Sequence, residues 1–317
     1  MAENEKIPLI VITGPTATGK TELAIQLAKE LDGEVVSADS MQIYKYMDVG
    51  TAKPSKEERQ GIPHHLMDFL EPSESFSVAR YVELAGDAIQ DIVSRGKRAI
   101  VAGGTGLYIS SLIDGIAFTP IAEDQQLRGE LYEQAQREGN QVLWQKLEQA
   151  DPVLARGLHP NNLGRVVRAL EVFMLTGIPM SEHQRRSRLE PSPYNPVMLA
   201  LCWRQRETLN QRINQRVDQM AEQGLAEEVK SLMQMGYGTT AFQAIGYKEL
   251  FDYHRGLCSL EEALEAVKLG SRRYAKRQMT WLRRDSRVQW LFREDYKSSQ
   301  QLFDAAMEAI TPALPGR

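Results

Sequence analysis

Cysteine is nearly absent: Cys202 and Cys258 are the only two in 317 residues, so a disulfide framework and a thiolate zinc site are excluded. Histidine is scarce as well. His64, His65, His159, His183 and His254 contain no HExxH pair and no spacing for a four-ligand metal site. No long apolar run stands near the start. The longest there, Ile7 to Ile12, holds Pro8 and follows the acidic Glu3 and Glu5, so neither a signal peptide nor a membrane span is expected. Internal repeats and low-complexity tracts are also missing. Charge of either sign is barely in excess, with 38 Lys+Arg against 42 Asp+Glu and a net charge of −4. Taken whole, that number suggests a metabolic enzyme without a polyanionic partner. What remains is ordinary: 42% hydrophobic and 25% charged residues, the composition of a folded protein in a reducing cytoplasm, long enough for two domains.

The first feature with chemical content follows the β-branched run from Pro8 to Ile12. It is Gly14-Pro15-Thr16-Ala17-Thr18-Gly19-Lys20-Thr21, after which Leu23, Leu27 and Leu31 recur at helical spacing beside Ala24 and Ala28. Strand, glycine loop and helix are therefore predicted, the setting in which Gly-x4-Gly-Lys-Thr is a phosphate-binding loop. Backbone N–H groups and the helix N-terminus point at an anion, Lys20 adds a point charge, and the Thr21 hydroxyl suits a magnesium ion. A second strand, Glu34 to Ala38, ends at Asp39-Ser40. A third, Ala99 to Ala102, ends at Gly103-Gly104-Thr105, and Tyr81, Leu84, Ala88 and Ile92 mark a crossover helix between them. Alternating strands and helices predict an α/β core around a parallel sheet, with ligands at the carboxyl ends of its strands.

Past Gly115 the pattern turns helical, with stripes through Leu127, Leu131 and Ala135, then Val142, Leu143 and Leu147, then Val166, Leu170 and Phe173. A proline-rich hinge at Pro191, Pro193 and Pro196 closes this insertion. Val197 to Trp203 reads as a returning core strand. Helices follow through Leu209 to Met220 and Leu225 to Leu232, and Ser259-Leu260-Glu261-Glu262 is a capping box opening a helix to about Arg284. Three segments are predicted: residues 1–114 and 196–317 as two parts of a phosphate-loop core of the P-loop NTPase type, and 115–195 as an all-helical insertion.

A nucleotide-hydrolysing loop normally works with a second carboxylate on another strand to hold magnesium. Only the run ending at Asp39 supplies one, so Asp39 is either a metal ligand or an acid–base group. Adjacent His64 and His65 cannot both face one metal from a regular element, and read as structural or polar contacts. Trp203, Trp281 and Trp290 suit either base stacking or the core.

The blocks Asp39-Ser40-Met41-Gln42-Ile43-Tyr44, Met47-Asp48-Val49-Gly50-Thr51-Ala52-Lys53-Pro54, Pro63-His64-His65-Leu66, Gly103-Gly104-Thr105-Gly106-Leu107-Tyr108, His159-Pro160-Asn161-Asn162, Arg168-Ala169-Leu170-Glu171, Ala244-Ile245-Gly246-Tyr247 and Lys276-Arg277-Gln278-Met279-Thr280-Trp281-Leu282-Arg283 resemble, in order, the bacterial tRNA dimethylallyltransferase family. The resemblance implies transfer of a dimethylallyl group from its diphosphate, with Mg2+, to N6 of the adenosine 3′ of the anticodon. It assigns Asp39 to accept the amino proton and places Thr105 and Arg128 near the reacting centre. It implies a cytoplasmic protein, taken to act as a monomer, whose partner is the anticodon stem-loop of tRNA. Gly14 to Thr21 would hold the diphosphate. Arg212 and Arg216, on one helix face, would either clamp it or pair with Asp218 or Glu222.

An RNA partner requires basic surface, and the charges are segregated. Lys268 to Arg287 carries +7 and Arg156 to Arg188 carries +4, leaving −15 elsewhere. The RNA contacts expected are Asp39 to Gln42, Thr105, Arg128, then Gly164, Arg165, Val166, Val167 and Arg168, and Lys276 to Arg283. Two other readings share the loop: a small-molecule or nucleotide kinase with Asp39 as base for a hydroxyl, and a regulatory RNA-binding ATPase.

Overall fold

The computed structural model describes residues 6–118, 121 and 123–314; the outermost limits of the predicted core, at residues 1 and 317, lie outside them. Apolar β-branched runs form the inner strands, and each feeds a helix. β1 (Ile7–Thr13) leads through the glycine loop into α1 (Lys20–Glu30), β2 (Gly33–Ser37) follows, and β3 is only His64–His65. α2 (Val78–Ser94) crosses to β4 (Arg98–Ala102), which runs into α3 (Gly106–Ile113). Then come α4 (Gln125–Glu138), α5 (Asn140–Ala150), α6 (Pro152–Ala155), α7 (Leu163–Thr176) and α8 (Met180–Arg186). β5 (Tyr194–Cys202) returns to the sheet, followed by α9 (Arg206–Glu222), α10 (Leu225–Met235), α11 (Thr239–Phe242), α12 (Tyr247–His254), α13 (Leu260–Leu282), β6 (Val288–Phe292) and α14 (Ser299–Ile310).

The six strands form one sheet in the order β3-β2-β4-β1-β5-β6, every pairing parallel. Strands sandwiched between helices read as continuous apolar runs, and Leu9 to Ile12 and Ala99 to Val101 are all buried. Parallel strands deliver their carboxyl ends to one edge, so Thr13, Ser37 and Ala102 hand the chain to the phosphate loop, Asp39 and Thr105 side by side. β3 and β6 were not expected from sequence. Pro196 lies inside β5, opposite Leu9 of β1, where proline can sit because β6 joins the other flank only from Met198. The predicted boundary at 195/196 thus falls within a strand.

By their contacts the residues form two units, 1–113 with 193–317, and 114–192. In the second, Leu131, Leu143, Leu147, Val166, Val167 and Leu170 make the helical core. In the first, α13 starts as its capping box requires: the Ser259 hydroxyl accepts from the Glu262 N–H, while the Glu262 carboxylate accepts from the Ser259 N–H. The loop after Asp39 is fastened by packing and polar bonds together. Ile43, Tyr44 and Met47 are buried among Val229, Leu250 and Phe251. The Glu228 carboxylate accepts N–H bonds from Asp48, Val49 and Gly50 and, at 2.6 Å, the Tyr247 hydroxyl. Within the described residues no helix is long and apolar enough to cross a membrane.

Candidate active site

The phosphate loop is closed on itself. Lys20 Nζ donates to the Pro15 carbonyl at 2.7 Å and the Thr18 hydroxyl to the same oxygen at 2.9 Å. Ala17 adopts φ 63°, a left-handed conformation that costs a residue with a Cβ about 1 kcal/mol. Its carbonyl accepts the Trp203 indole N–H at 3.3 Å, and the Arg212 guanidinium lies over that ring, 5.3 Å from a ring centroid. Trp203 is therefore a prop for the loop, and Arg212 is seated beside it.

Charge converges on the same place. Burial and the neighbouring Arg216 charge pull the Lys20 ammonium down to about 8, against an opposing influence from Asp39. Burial also lowers Arg216, opposed by Asp39 and then Glu58. Two cations held this close favour an anion between them. Asp218, named above as an alternative partner for these arginines, is bonded to Lys268 at 2.8 Å, and at two positions from Arg216 it does not face it. Among the described residues no cluster of three or more His, Cys, Asp or Glu could hold a metal.

Asp39 stands two residues beyond Ser37, the end of β2. Its Oδ1 accepts the N–H groups of Met41 at 2.9 Å and Gln42 at 3.3 Å, an Asx turn that leaves Oδ2 for other work. Thr105 closes the turn from the neighbouring strand: its N–H donates to the Ala38 carbonyl at 3.0 Å, and its hydroxyl accepts the Ser40 N–H at 3.0 Å. Gln42 is fixed in turn by donating to the carbonyls of Thr51 and Ala52. The structure thus brings together Gly14 to Thr21, Asp39 to Gln42, Thr105, Arg212 and Arg216.

Two residues of α13 complete this edge, and both act inward. Gln278 is buried; its Nε2 donates to the Gly104 carbonyl at 2.8 Å and its Oε1 accepts the Thr16 N–H at 3.3 Å. A Cβ on Gly104 would collide with that amide. The Tyr274 hydroxyl lies 3.5 Å from the same carbonyl, and burial, then the charge of Asp39, push it up to about 12. It stays a neutral hydrogen-bond donor at physiological pH. Nothing in the sequence neighbours of Tyr274 points to Asp39.

The two basic segments are sorted by their helices. In α13, Arg273, Lys276, Arg277, Thr280 and Arg283 are exposed, whereas Gln278 and Leu282 are buried and the Met279 sulfur lies against Cys202. Trp281 is half-buried against the core. In α7, Gly164 and Arg165 are exposed and Val166 and Val167 are buried. Helical phase therefore divides the contiguous runs expected to meet RNA: the side chains of Val166, Val167, Gln278, Met279 and Leu282 face protein, because a period of 3.6 turns them inward. Within the helical unit, Arg128 and Arg168 both bind the fully buried Glu171, at 3.0 and 2.6 Å, and Arg128 also binds Glu123 at 2.9 Å. Gln125, Arg128, Gly129, Tyr132, Gly164, Val167 and Arg168 surround one recess of about 350 Å³, so Arg128 and the Gly164 to Arg168 segment share a surface. His64 and His65 are structural: His64 Nδ1 bonds the Ile62 carbonyl and His65 Nε2 the Glu34 carboxylate, each within 2.9 Å.

Comparison with known proteins identifies the family. The family model described as IPP transferase matches residues 42–285. A relative from Thermoanaerobacter, strain X514, named tRNA dimethylallyltransferase, is 50% identical over 93% of this chain and 95% of its own. A solved tRNA isopentenylpyrophosphate transferase from Bacillus halodurans superposes with a TM-score of 0.72 at 44% identity, over 97% of this chain and 98% of that one. A eukaryotic dimethylallyltransferase solved while acting on tRNA gives a TM-score of 0.80 at 31% identity, covering 98% of this chain and 81% of that one.

Proposed function

The chain belongs to the IPP transferase family, and we propose that it transfers a dimethylallyl group from dimethylallyl diphosphate to N6 of the adenosine immediately 3′ of the anticodon in tRNA, releasing pyrophosphate. It is an enzyme, a transferase of prenyl groups. The observation that carries the detailed reading is the convergence of Asp39, Lys20 and Arg216 at the carboxyl edge of the sheet, close enough that the Asp39 charge is felt by both cations.

The adenine amino group is a poor nucleophile. Its nitrogen forms a bond to C1 of the donor as the C1–oxygen bond breaks, and the electron pair leaves on the pyrophosphate oxygen. Asp39 Oδ2 accepts the proton released from nitrogen, a role worth about 10²–10⁴ in rate. Thr105 keeps the Asp39 turn in place through Ser40. The N–H groups of the glycine loop, Lys20, Arg212 and Arg216 hold the diphosphate and stabilise the charge developing on it. Thr21, in the first turn of α1, would offer its hydroxyl to a magnesium ion, which would supply charge neutralisation on the leaving diphosphate.

The anticodon stem-loop is held by the exposed Arg273, Lys276, Arg277, Thr280 and Arg283 of α13, and by Arg165, Arg128 and Arg168 of the helical unit, since phosphate neutralisation supplies most of the affinity for RNA. The base must leave its stack to expose N6, and single-stranded loop bases allow that at least cost. One chain carries both donor loop and RNA surface, which supports action as a monomer, and a tRNA substrate supports a cytoplasmic setting.

The test is to incubate the protein with unmodified tRNA, magnesium and either dimethylallyl diphosphate or ATP, then to weigh the digested nucleosides. Prenylated adenosine in the first arm alone is expected. Its absence overturns the proposal, and phosphate transfer in the second arm favours a kinase.

A further inference from the structure

The strand order places one more cation at the phosphate loop. β6 was invisible in the sequence, yet it runs parallel to β5, so its carboxyl end arrives at the same edge as those of β1, β2 and β4. The residue that follows is Arg293, which begins a single 3₁₀ turn, Arg293–Asp295. Its guanidinium lies against Gly19: Nη1 is 3.6 Å and Cζ 3.9 Å from where a side chain on Gly19 would begin. Glycine is required there by its φ of 86°, and the guanidinium packs at ordinary van der Waals distance from it.

The turn is built to present this arginine. The Glu294 carboxylate accepts the Arg204 N–H at 3.0 Å, and Asp295 takes the Arg204 guanidinium in bonds of 2.6 and 3.3 Å. That guanidinium also covers the Phe292 ring, 4.1 Å from its centroid. The two acids next to Arg293 are thus committed to Arg204, while Arg293 itself has no ion-pair partner among the described residues. A half-buried guanidinium beside a phosphate loop, with its neighbouring acids occupied elsewhere, has the chemistry of an anion ligand: its fork of N–H donors matches phosphate oxygens.

We propose that Arg293 is a diphosphate-binding residue, bonding the donor's diphosphate and then the pyrophosphate product from the Gly19 side of the loop. This rests on the prenyl-transfer reading for the identity of the anion. To Lys20, Arg212 and Arg216, Arg293 adds a fourth positive group, at Gly19. The leaving diphosphate gains charge as the C1–oxygen bond breaks, so a cation here stabilises the transition state as well as the bound donor.

The experiment is calorimetric titration of the full chain with inorganic pyrophosphate and magnesium, without tRNA, for wild type, Arg293→Gln and Arg293→Lys. Arg293→Gln should bind pyrophosphate about tenfold or more weakly, the loss expected for one charge-assisted bond, and Arg293→Lys should recover part of it. The donor KM should rise in parallel, with the tRNA KM within about twofold of wild type. Thermal midpoints report folding. Should the glutamine variant unfold, Arg293→Lys decides alone, because a lysine loses the paired donors but keeps the charge: severalfold weaker binding supports the proposal, and wild-type binding overturns it. Pyrophosphate binding by Arg293→Gln within about twofold of wild type also overturns it. If wild type binds pyrophosphate through Arg293 yet prenylates no tRNA, the prenyl-transfer reading fails and the anion site stands.

Discussion

Gln278 and Thr16, separated by 262 positions, meet in a hydrogen bond: the buried Gln278 amide oxygen accepts the Thr16 N–H at 3.3 Å while its nitrogen holds the Gly104 carbonyl at 2.8 Å. One side chain of the basic helix thereby sets the spacing between the phosphate loop and the strand end that carries Thr105. Gln278→Leu keeps most of the volume and leaves both backbone groups unpaired, which costs about 1–3 kcal/mol. Calorimetric or denaturant unfolding should register that loss, and steady-state kinetics should show a raised donor KM. An unchanged donor KM would mean that the bond is structural only.

Thr105 acts on Asp39 through Ser40. Thr105→Val removes the acceptor of the Ser40 N–H and frees the Asx turn to shift. Misplacement of a catalytic group by about 1 Å costs about 10²-fold, so single-turnover transfer should slow by one to two orders of magnitude while tRNA binding persists. Thr105→Ser, which restores the hydroxyl, should recover most of the rate. Two variants of equal activity would contradict this role.

The four inner strands were legible because β1, β2, β4 and β5 are runs of buried apolar residues that end in glycine, Asp39 or Trp203, and the glycine loop gave their carboxyl edge a function. β3 is a two-residue pairing of half-buried histidines to the edge of β2, and a backbone pairing of that kind leaves no hydrophobic period. β6 is a five-residue strand directly after the basic segment, with the exposed Gln289 second in it, too short to show a period of its own, and Arg293 at its end went unremarked with it. What the inward face of α13, with Tyr274 and Gln278, touches depends on contacts across most of the chain, such as those of Gln278 with Thr16 and Gly104. The RNA segments were read as unbroken blocks, and helical phase removes Val166, Val167, Gln278, Met279 and Leu282 from the exposed side.

Lys20 gives a pH dependence. Its ammonium is held near 8 without an anion, so it loses charge as pH rises through about 8, and a bound diphosphate, favouring the charged form, raises it again. Pyrophosphate affinity should therefore fall from pH 7 to 9, with proton uptake on binding above pH 8. Lys20→Arg, whose charge does not titrate there, should flatten this component. Titrations in two buffers of different ionisation enthalpy measure the uptake; equal slopes for both proteins would contradict it.

Glu34 gives another, in stability. Its buried carboxylate is bonded to Arg95 at 2.6 and 2.8 Å, to His65 at 2.8 Å and to Lys97 at 3.2 Å. The Arg95 bonds chiefly, against the cost of burial, hold it far below the ordinary carboxylate value of 4.5. A depressed carboxyl stabilises the fold above that ordinary value and loses the contribution as pH falls below it toward the folded value. Wild type should thus lose stability steadily from about pH 4.5 downward. Glu34→Gln should be less stable at pH 7, with a shallower acid slope, because its amide does not titrate. Thermal midpoints between pH 7 and 3 check this.

Asp39 as the base of prenyl transfer is tested most directly by single-turnover reaction of Asp39→Asn with saturating tRNA and dimethylallyl diphosphate, followed by mass measurement of the adenosine 3′ of the anticodon. The amide preserves the turn through its oxygen and removes the proton acceptor. Transfer should fall by about 10²–10⁴, with tRNA and pyrophosphate dissociation constants within about twofold of wild type. Wild-type transfer by the asparagine variant would contradict the role of Asp39, and with it the chemistry assigned to this edge of the sheet.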